Sequence, residues 1–143
     1  LRLNSGSRVT LGDRVESDGR MSITTGYSSQ LNIGSGVYFN DGAVISCLGK
    51  ITIGENTLFG PGVKIFDNNH RFSREEGVSR ECTAGCITVG RSCWIASDVV
   101  LLKGTDIGDN CVIGAGCVIR GKVPAGSLVT RSGEQTTRPI EIR

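Results

Sequence analysis

The sequence predicts an all-β fold: a parallel β-helix whose six-residue units wind into a triangular prism, with one long inserted loop. Three observations predict it. An apolar residue recurs at every sixth position, a small residue often stands directly behind it, and glycine is abundant where aromatic rings are scarce.

The apolar column runs Ile33, Phe39, Ile45, then Ile53, Phe59, Ile65, then unbroken through Val89, Ile95, Leu101, Ile107, Ile113 and Ile119. A period of six is neither the 3.6 of an amphipathic helix nor the 2 of an alternating strand. Six residues on each of three sides make a coil of 18, and stacked coils would pair through parallel strands roughly 4.8 Å apart. The next position holds Gly34, Gly54, Gly60, Gly90, Gly108 and Gly114, with Ala96 among them, which is read as the tight corners. Four residues after each apolar position comes a second, mostly small or β-branched column: Val37, Ala43, Gly49, Thr57, Val63, Cys93, Val99, Thr105, Cys111, Cys117 and Val123. A weaker early coil begins at Leu11-Gly12-Asp13-Arg14-Val15.

Composition agrees. With aromatics at 5%, the core must be filled by Ile, Val, Leu, Ala and Cys, which suits closely spaced strands. Glycine, at 21 residues against 3 prolines, follows no collagen period. The 143 residues fit one domain, with the β-helix over 1–126 and a C-terminal tail over 127–143. A net charge of +2 gives no argument for nucleic acid or an anionic membrane, and no apolar run is long enough to span a bilayer. The chain starts at Leu1 and no basic stretch followed by an apolar one opens it, so no secretion signal is read. The six cysteines form no C-x-x-C pair, and three fall in the small column; they are read as reduced, mostly buried small hydrophobes, which points to the cytoplasm.

Two breaks in the register are informative. Ile33 and Ile53 are 20 apart, so two residues bulge from that coil. Ile65 and Val89 are 24 apart rather than six, which places an inserted loop at about 71–88, charged with Arg71, Arg74, Glu75, Glu76, Arg80 and Glu81. A long loop leaving a regular solenoid is disproportionately functional.

His70, the only histidine, stands where the helix gives way to that loop, beside Asp67, Asn68 and Asn69, which could fix its tautomer. Imidazole suits a general base near neutral pH. Trp94, the only tryptophan, occupies a corner-proximal position and reads equally as an interface anchor or as a wall of an active site. Lys103, Arg120, Lys122 and Arg131 gather in the last coils, where together they could serve a phosphorylated ligand.

The stretch Ile53-Gly54-Glu55-Asn56-Thr57-Leu58-Phe59-Gly60-Pro61-Gly62-Val63-Lys64-Ile65, followed by Asp67-Asn68-Asn69-His70, resembles the signature of the hexapeptide-repeat acyltransferases. So do Val89-Gly90-Arg91-Ser92-Cys93-Trp94-Ile95-Ala96 and Ile107-Gly108-Asp109-Asn110-Cys111-Val112-Ile113-Gly114-Ala115-Gly116. The branch is that of xenobiotic, maltose and capsular polysaccharide acetyltransferases, and the resemblance covers roughly residues 30 to 126. The spacing of His70 and Trp94 is most similar to that in sialic acid and polysialic acid O-acetyltransferases, where the matching tryptophan lies at the active site.

The resemblance implies a left-handed coil, against the usual right-handed crossover. It also implies a homotrimer with active sites in clefts between prisms and the inserted loop reaching across. The histidine matching His70 would deprotonate a sugar hydroxyl, which attacks the thioester of acetyl-CoA directly, with the cysteines as spectators. The oxyanion would be held by a backbone N–H near Trp94 or by its indole. Acetyl-CoA would lie along the C-terminal coils near Ala96 and Ala115, with Lys103, Arg120 and Lys122 as basic partners. The implied acceptor is a bacterial surface polysaccharide, a sialic acid polymer among the candidates, and the implied location is the cytoplasm. Xenobiotic or amino-acid acetylation is the alternative.

Two departures stand out. The segment Pro124 to Gly133 lacks the Gly-Asn-Pro-Ala motif common in such tails, and Asn68 stands where many relatives have a second histidine. A prism carbonic anhydrase needs three zinc-binding histidines and is excluded by one; no metal is expected. A sugar nucleotidyltransferase would need a further domain. A purely structural β-helix would have unbroken coils, which the insertion contradicts.

Overall fold

The computed structural model describes residues 1–132 and 134–139, and among them there is no helix. Gly133 and the end of the tail, 140–143, lie outside the described residues. Six coils stack into a left-handed parallel β-helix with three sheets. The first coil carries β1 (Arg8–Leu11), β2 (Glu16–Ser17) and β3 (Met21–Thr25). The second carries β4 (Gln30–Ile33), β5 (Tyr38–Phe39) and β6 (Ala43–Cys47). The third carries β7 (Lys50–Ile53), β8 (Leu58–Phe59) and β9 (Lys64–Phe66), and then an excursion, β10 (Asn68–Ser73) and β11 (Gly77–Ala84). The fourth holds β12 (Cys86–Val89), β13 (Trp94–Ile95) and β14 (Val100–Leu101). The fifth holds β15 (Asp106–Ile107), β16 (Val112–Ile113) and β17 (Val118–Ile119). The last holds β18 (Lys122–Val123) and β19 (Ser127–Ser132), against which β20 (Glu134–Pro139) folds back antiparallel.

The first sheet stacks β1-β4-β7-β12-β15-β18, the second β2-β5-β8-β13-β16-β19-β20, and the third β3-β6-β9-β14-β17. The apolar column of the sequence is the inner wall of these sheets. Ile33, Ile53, Val89 and Ile107 lie in register in the first sheet, Phe39, Phe59, Ile95 and Ile113 in the second, and Ile45, Ile65, Leu101 and Ile119 in the third. All twelve are buried. Phe39 and Phe59 stack with ring centroids 4.7 Å apart, so the prism accommodates its widest side chains on adjacent coils. Apart from Gly49, which the bulge carries out of the interior so that Ile51 takes its place, and Val123, the second column fills the corners inside, and its two hydroxyls are satisfied there: Thr57 donates to Gly90 O at 2.8 Å and Thr105 to Leu102 O at 2.7 Å.

The corner glycines have a different physical reason from the one expected. A Cβ on Gly54 would sit 2.5 Å from the backbone N of Arg91, a collision with the coil above rather than a demand for an unusual φ. The left-handed residue comes two places later, at Asn56, with φ of 56°. Short polar residues tolerate that region better than most.

Three boundaries shift. The excursion begins at Asn68, before the expected 71, and it is a two-stranded hairpin rather than a loop. It ends at Ala84, because Cys86–Val89 already pairs with Lys50–Ile53 in the first sheet; 86–88 therefore belong to the prism. The tail does not start at 127: Leu128 and Val129 pair with Val112 and Ile113, and Val129 is a buried core residue. Val123 also leaves the small column, since it pairs with Ile107 and takes a large-column place. The last corner, at Arg120 and Gly121 with φ of 75°, is two residues tighter than the one before it, from Leu101 to Ile107.

Candidate active site

The excursion is anchored by Asp67, wholly buried where β9 ends. Its carboxylate accepts the N–H of Leu48 through Oδ1 and of Gly49 through Oδ2, each at 2.8 Å, and its carbonyl accepts Gly85 N–H at 2.8 Å. Asn68 donates to Asp67 Oδ1 at 3.1 Å and to Ser46 O at 3.2 Å. The two-residue bulge that the register revealed is thus the seat for the hairpin's root. Asp67 and Asn68 were expected to orient His70; they fix the strand that carries it, because their polar atoms are engaged below the hairpin.

His70 pairs with Cys82 across the hairpin, and its orienting partner is on the return strand. Nδ1 lies 3.1 Å from the carbonyl oxygen of Ser79, which can only accept. In the neutral ring this contact assigns the proton to Nδ1 and leaves the lone pair on Nε2. Cys82 Sγ approaches the same nitrogen at 3.6 Å. Neither Ser79 nor Cys82 was singled out from the sequence. The available signal was the turn Glu75-Glu76-Gly77, where Gly77 has φ of 71°, flanked by the facing pair Phe72 and Val78.

His70 borders a cleft of about 440 Å³ with Asn69, Phe72, Leu102, Lys103 and Arg120. Two of the predicted basic residues are thus brought to the histidine, because the corners after Leu101 and Ile119 stack along the edge between the third and first sheets. Lys103 Nζ donates to Thr83 Oγ1 at 2.9 Å. Lys122 stands apart in the first sheet, paired in register with Asp106. A cavity of about 470 Å³ lies within the hairpin alone, rimmed by Arg71 and Glu81 at 3.8 Å, and no prism residue reaches it.

Trp94 is not beside His70. It projects from the second sheet, 54% exposed, in register with Leu58 and Val112. Ala96 and Ala115 lie on the edge between the second and third sheets, where Arg131 also reaches Gly116. The third sheet separates that edge from His70. The N–H of Trp94 donates to Cys111 O and that of Ala96 to Ile113 O, each at 2.9 Å, so neither amide is available to an oxyanion. The indole of Trp94 is the other group expected in that role. Among the described residues no group of His, Cys, Asp and Glu could hold a metal, and no helix is long and apolar enough to cross a membrane.

The triangular prism of six-residue units is a fold this chain shares with hexapeptide-repeat acetyltransferases. Residues 86–121 match the model described as bacterial transferase hexapeptide (six repeats). The galactoside O-acetyltransferase of Escherichia coli (strain K12) is 37% identical over 98 residues, covering 68% of this chain and 48% of that protein. A putative lipopolysaccharide biosynthesis O-acetyl transferase of the same strain, WbbJ, is 28% identical over 136 residues, covering 80% of this chain and 69% of its own. The chain thus spans about half the length of the first of these relatives. A hexapeptide-repeat acetyltransferase of Vibrio cholerae O1 biovar eltor, solved with acetyl-CoA, superposes with a TM-score of 0.80 at 22% identity, over 96% of this chain and 73% of that one. Residues 86–121 thus carry the bacterial transferase hexapeptide, and the chain is similar to hexapeptide-repeat acetyltransferases.

Proposed function

We propose that this protein is an acetyl-CoA-dependent O-acetyltransferase that uses His70 as general base on a saccharide hydroxyl. One observation carries the reading: the Ser79 carbonyl favours the neutral His70 tautomer with its proton on Nδ1 and its lone pair on Nε2, and His70 lines a cleft with Lys103 and Arg120. The relatives named for galactoside and lipopolysaccharide O-acetylation support the acceptor class. A sialic acid polymer is one such acceptor. Acetyl-CoA, the donor, is a cytoplasmic metabolite, which supports a cytoplasmic location.

The reaction is a direct transfer. Nε2 takes the hydroxyl proton as the oxygen attacks the thioester carbonyl carbon. The tetrahedral intermediate collapses with cleavage of the C–S bond, and the imidazolium returns its proton to the departing CoA thiolate. Bringing both substrates together supplies much of the rate.

The placement of the residues supports a homotrimer. Within one chain, His70 lies on one edge of the third sheet, whereas Ala96 and Ala115 lie on the other and Trp94 projects beyond them. A site using all four needs a neighbouring copy, which would bring the indole of Trp94 towards the oxyanion and seat CoA along its Ala96 edge.

The test is transfer of labelled acetyl from acetyl-CoA to a panel of saccharides, including polysialic acid, with amino acids and small xenobiotic alcohols as controls. His70→Ala is expected to lower the rate about a hundredfold or more while acetyl-CoA still binds. Undiminished turnover by that variant removes His70 from the mechanism, and transfer only to the small controls moves the acceptor class.

A further inference from the structure

Lys103 has a task other than ligand binding. Its Nζ donates to Thr83 Oγ1 at 2.9 Å, although Lys103 belongs to the prism and Thr83 to the hairpin's return strand. Thr83 faces Asn69 in the hairpin register and its hydroxyl leans on Asn69 O at 3.5 Å. The next pair in that ladder is His70 with Cys82. The bond therefore ends one residue from the base.

The lysine stem is held as well as its head. A Cβ on Gly85 would lie 2.8 Å from Lys103 Cγ and 3.2 Å from both Cδ and Cε, so the chain lies flat against the residue where the hairpin rejoins the prism. Gly104, with φ of 86°, turns the backbone directly behind it. On the opposite side, Asp67 holds the outgoing strand by Leu48 and Gly49. The hairpin is thus fastened on both strands, by a buried carboxylate on the outgoing one and by an ammonium on the returning one. An otherwise exposed two-stranded ribbon is marginal alone, so these fastenings set where His70 points.

We infer that Lys103 is a positioning residue, which clamps the hairpin to the fourth coil through Thr83 and so fixes His70 against the cleft. The inference rests on His70 being the base of the transfer reaction. It separates Lys103 from Arg120, which lines the same cleft.

Three single variants, and the double variant of the first two, test it. Lys103→Met keeps the stem on Gly85 and removes the donor; Thr83→Val keeps shape and removes the acceptor; Lys103→Arg restores a donor. The first two should each lower kcat on the order of tenfold with KM for acetyl-CoA unchanged. The double variant should be no worse than either single one, and Lys103→Arg should recover most of the rate. Amide hydrogen exchange read on residues 68–84 should quicken equally in both single variants, with the prism strands unaffected. That readout needs no turnover: if wild type transfers no acetyl, the reading of His70 fails while the clamp is still scored by exchange. A raised KM for acetyl-CoA in Lys103→Met, with Thr83→Val unchanged in rate and exchange, would instead make Lys103 a ligand contact and overturn the inference.

Discussion

Asp67 Oδ2 accepts the N–H of Gly49 at 2.8 Å, joining the end of the third coil to the corner of the second. Its other oxygen takes Leu48 N–H at the same distance, and the side chain is wholly buried. Removing the carboxylate strands two half-buried donors. Asp67→Ala is therefore expected to destabilise the fold by roughly 2–4 kcal/mol. Urea unfolding checks it; a loss below the error of the midpoint would mean that water replaces the carboxylate freely.

Glycines at the corners fall into two kinds, which substitution to alanine should separate. At Gly54 the new Cβ would meet backbone, Arg91 N at 2.5 Å and Gly90 C at 2.6 Å, and neither can move without opening the ladder between the third and fourth coils. At Gly104 nothing lies within 4 Å, and only the φ of 86° is unfavourable. Gly104→Ala should cost about 1–2 kcal/mol, and Gly54→Ala more, roughly 3 kcal/mol or beyond. Equal midpoints for the two in urea would contradict the distinction.

This contrast also marks what could be read from the sequence. The prism was legible because its inside is a one-dimensional pattern: within each run between Ile33 and Ile119, every sixth residue faces the interior. The histidine was legible because it stood at a break in that pattern. Its partners were not. Ser79 acts through a carbonyl that any residue has, and Thr83 and Lys103 meet only because the hairpin folds back 20 positions in sequence from one to the other. Asp67 looked like a tautomer-setting neighbour because sequence distance to His70 is short, whereas its carboxylate faces the coil below. The separation of Trp94 from His70 follows from side number within the coil, which the register did contain: Trp94 precedes Ile95 in the second sheet, and His70 leaves from the third.

Trp94 and Leu58 are neighbours in the second sheet, 54% and 48% exposed, and with Tyr38 and Val112 they form an outward ladder of largely apolar side chains. An uncovered strip of this kind marks an interface. The expected solution mass is three times 15.1 kDa. Trp94→Asp should shift the mass towards the single chain and abolish transfer while leaving the β-sheet signal by circular dichroism. A wild-type chain that sediments as a monomer and still turns over would refute a site shared between copies.

The cysteines divide by access. Cys47, Cys93, Cys111 and Cys117 are buried, Cys82 is half-buried and Cys86 is exposed. Native alkylation should therefore modify Cys86 and Cys82 and spare the other four. Because Cys82 Sγ lies 3.6 Å from His70 Nδ1, an added group there should slow acetyl transfer at least tenfold, whereas the exposed Cys86 should tolerate it. The expectation that all six are spectators then fails at one position. Full activity with Cys82 modified, read by mass spectrometry, would restore it.

Burial pushes the Cys47 thiol from its ordinary 9.0 up to about 12, and the negative charge of Asp67 adds to the shift. Burial raises Cys93 and Cys117 in the same direction. A folded state that holds a proton more tightly than the unfolded one is favoured while both keep it. This contribution is therefore complete below pH 9 and is lost as pH rises from there towards about 12, where the unfolded chain alone gives up its proton. The Cys47 share of the slope is at most about 1.4 kcal/mol per pH unit. Cys47→Val removes the group with little change in volume, so its stability should fall less steeply than that of wild type between pH 9 and 11. Parallel curves from urea titrations at each pH would show that the thiol gives up its proton as readily inside the prism as outside it.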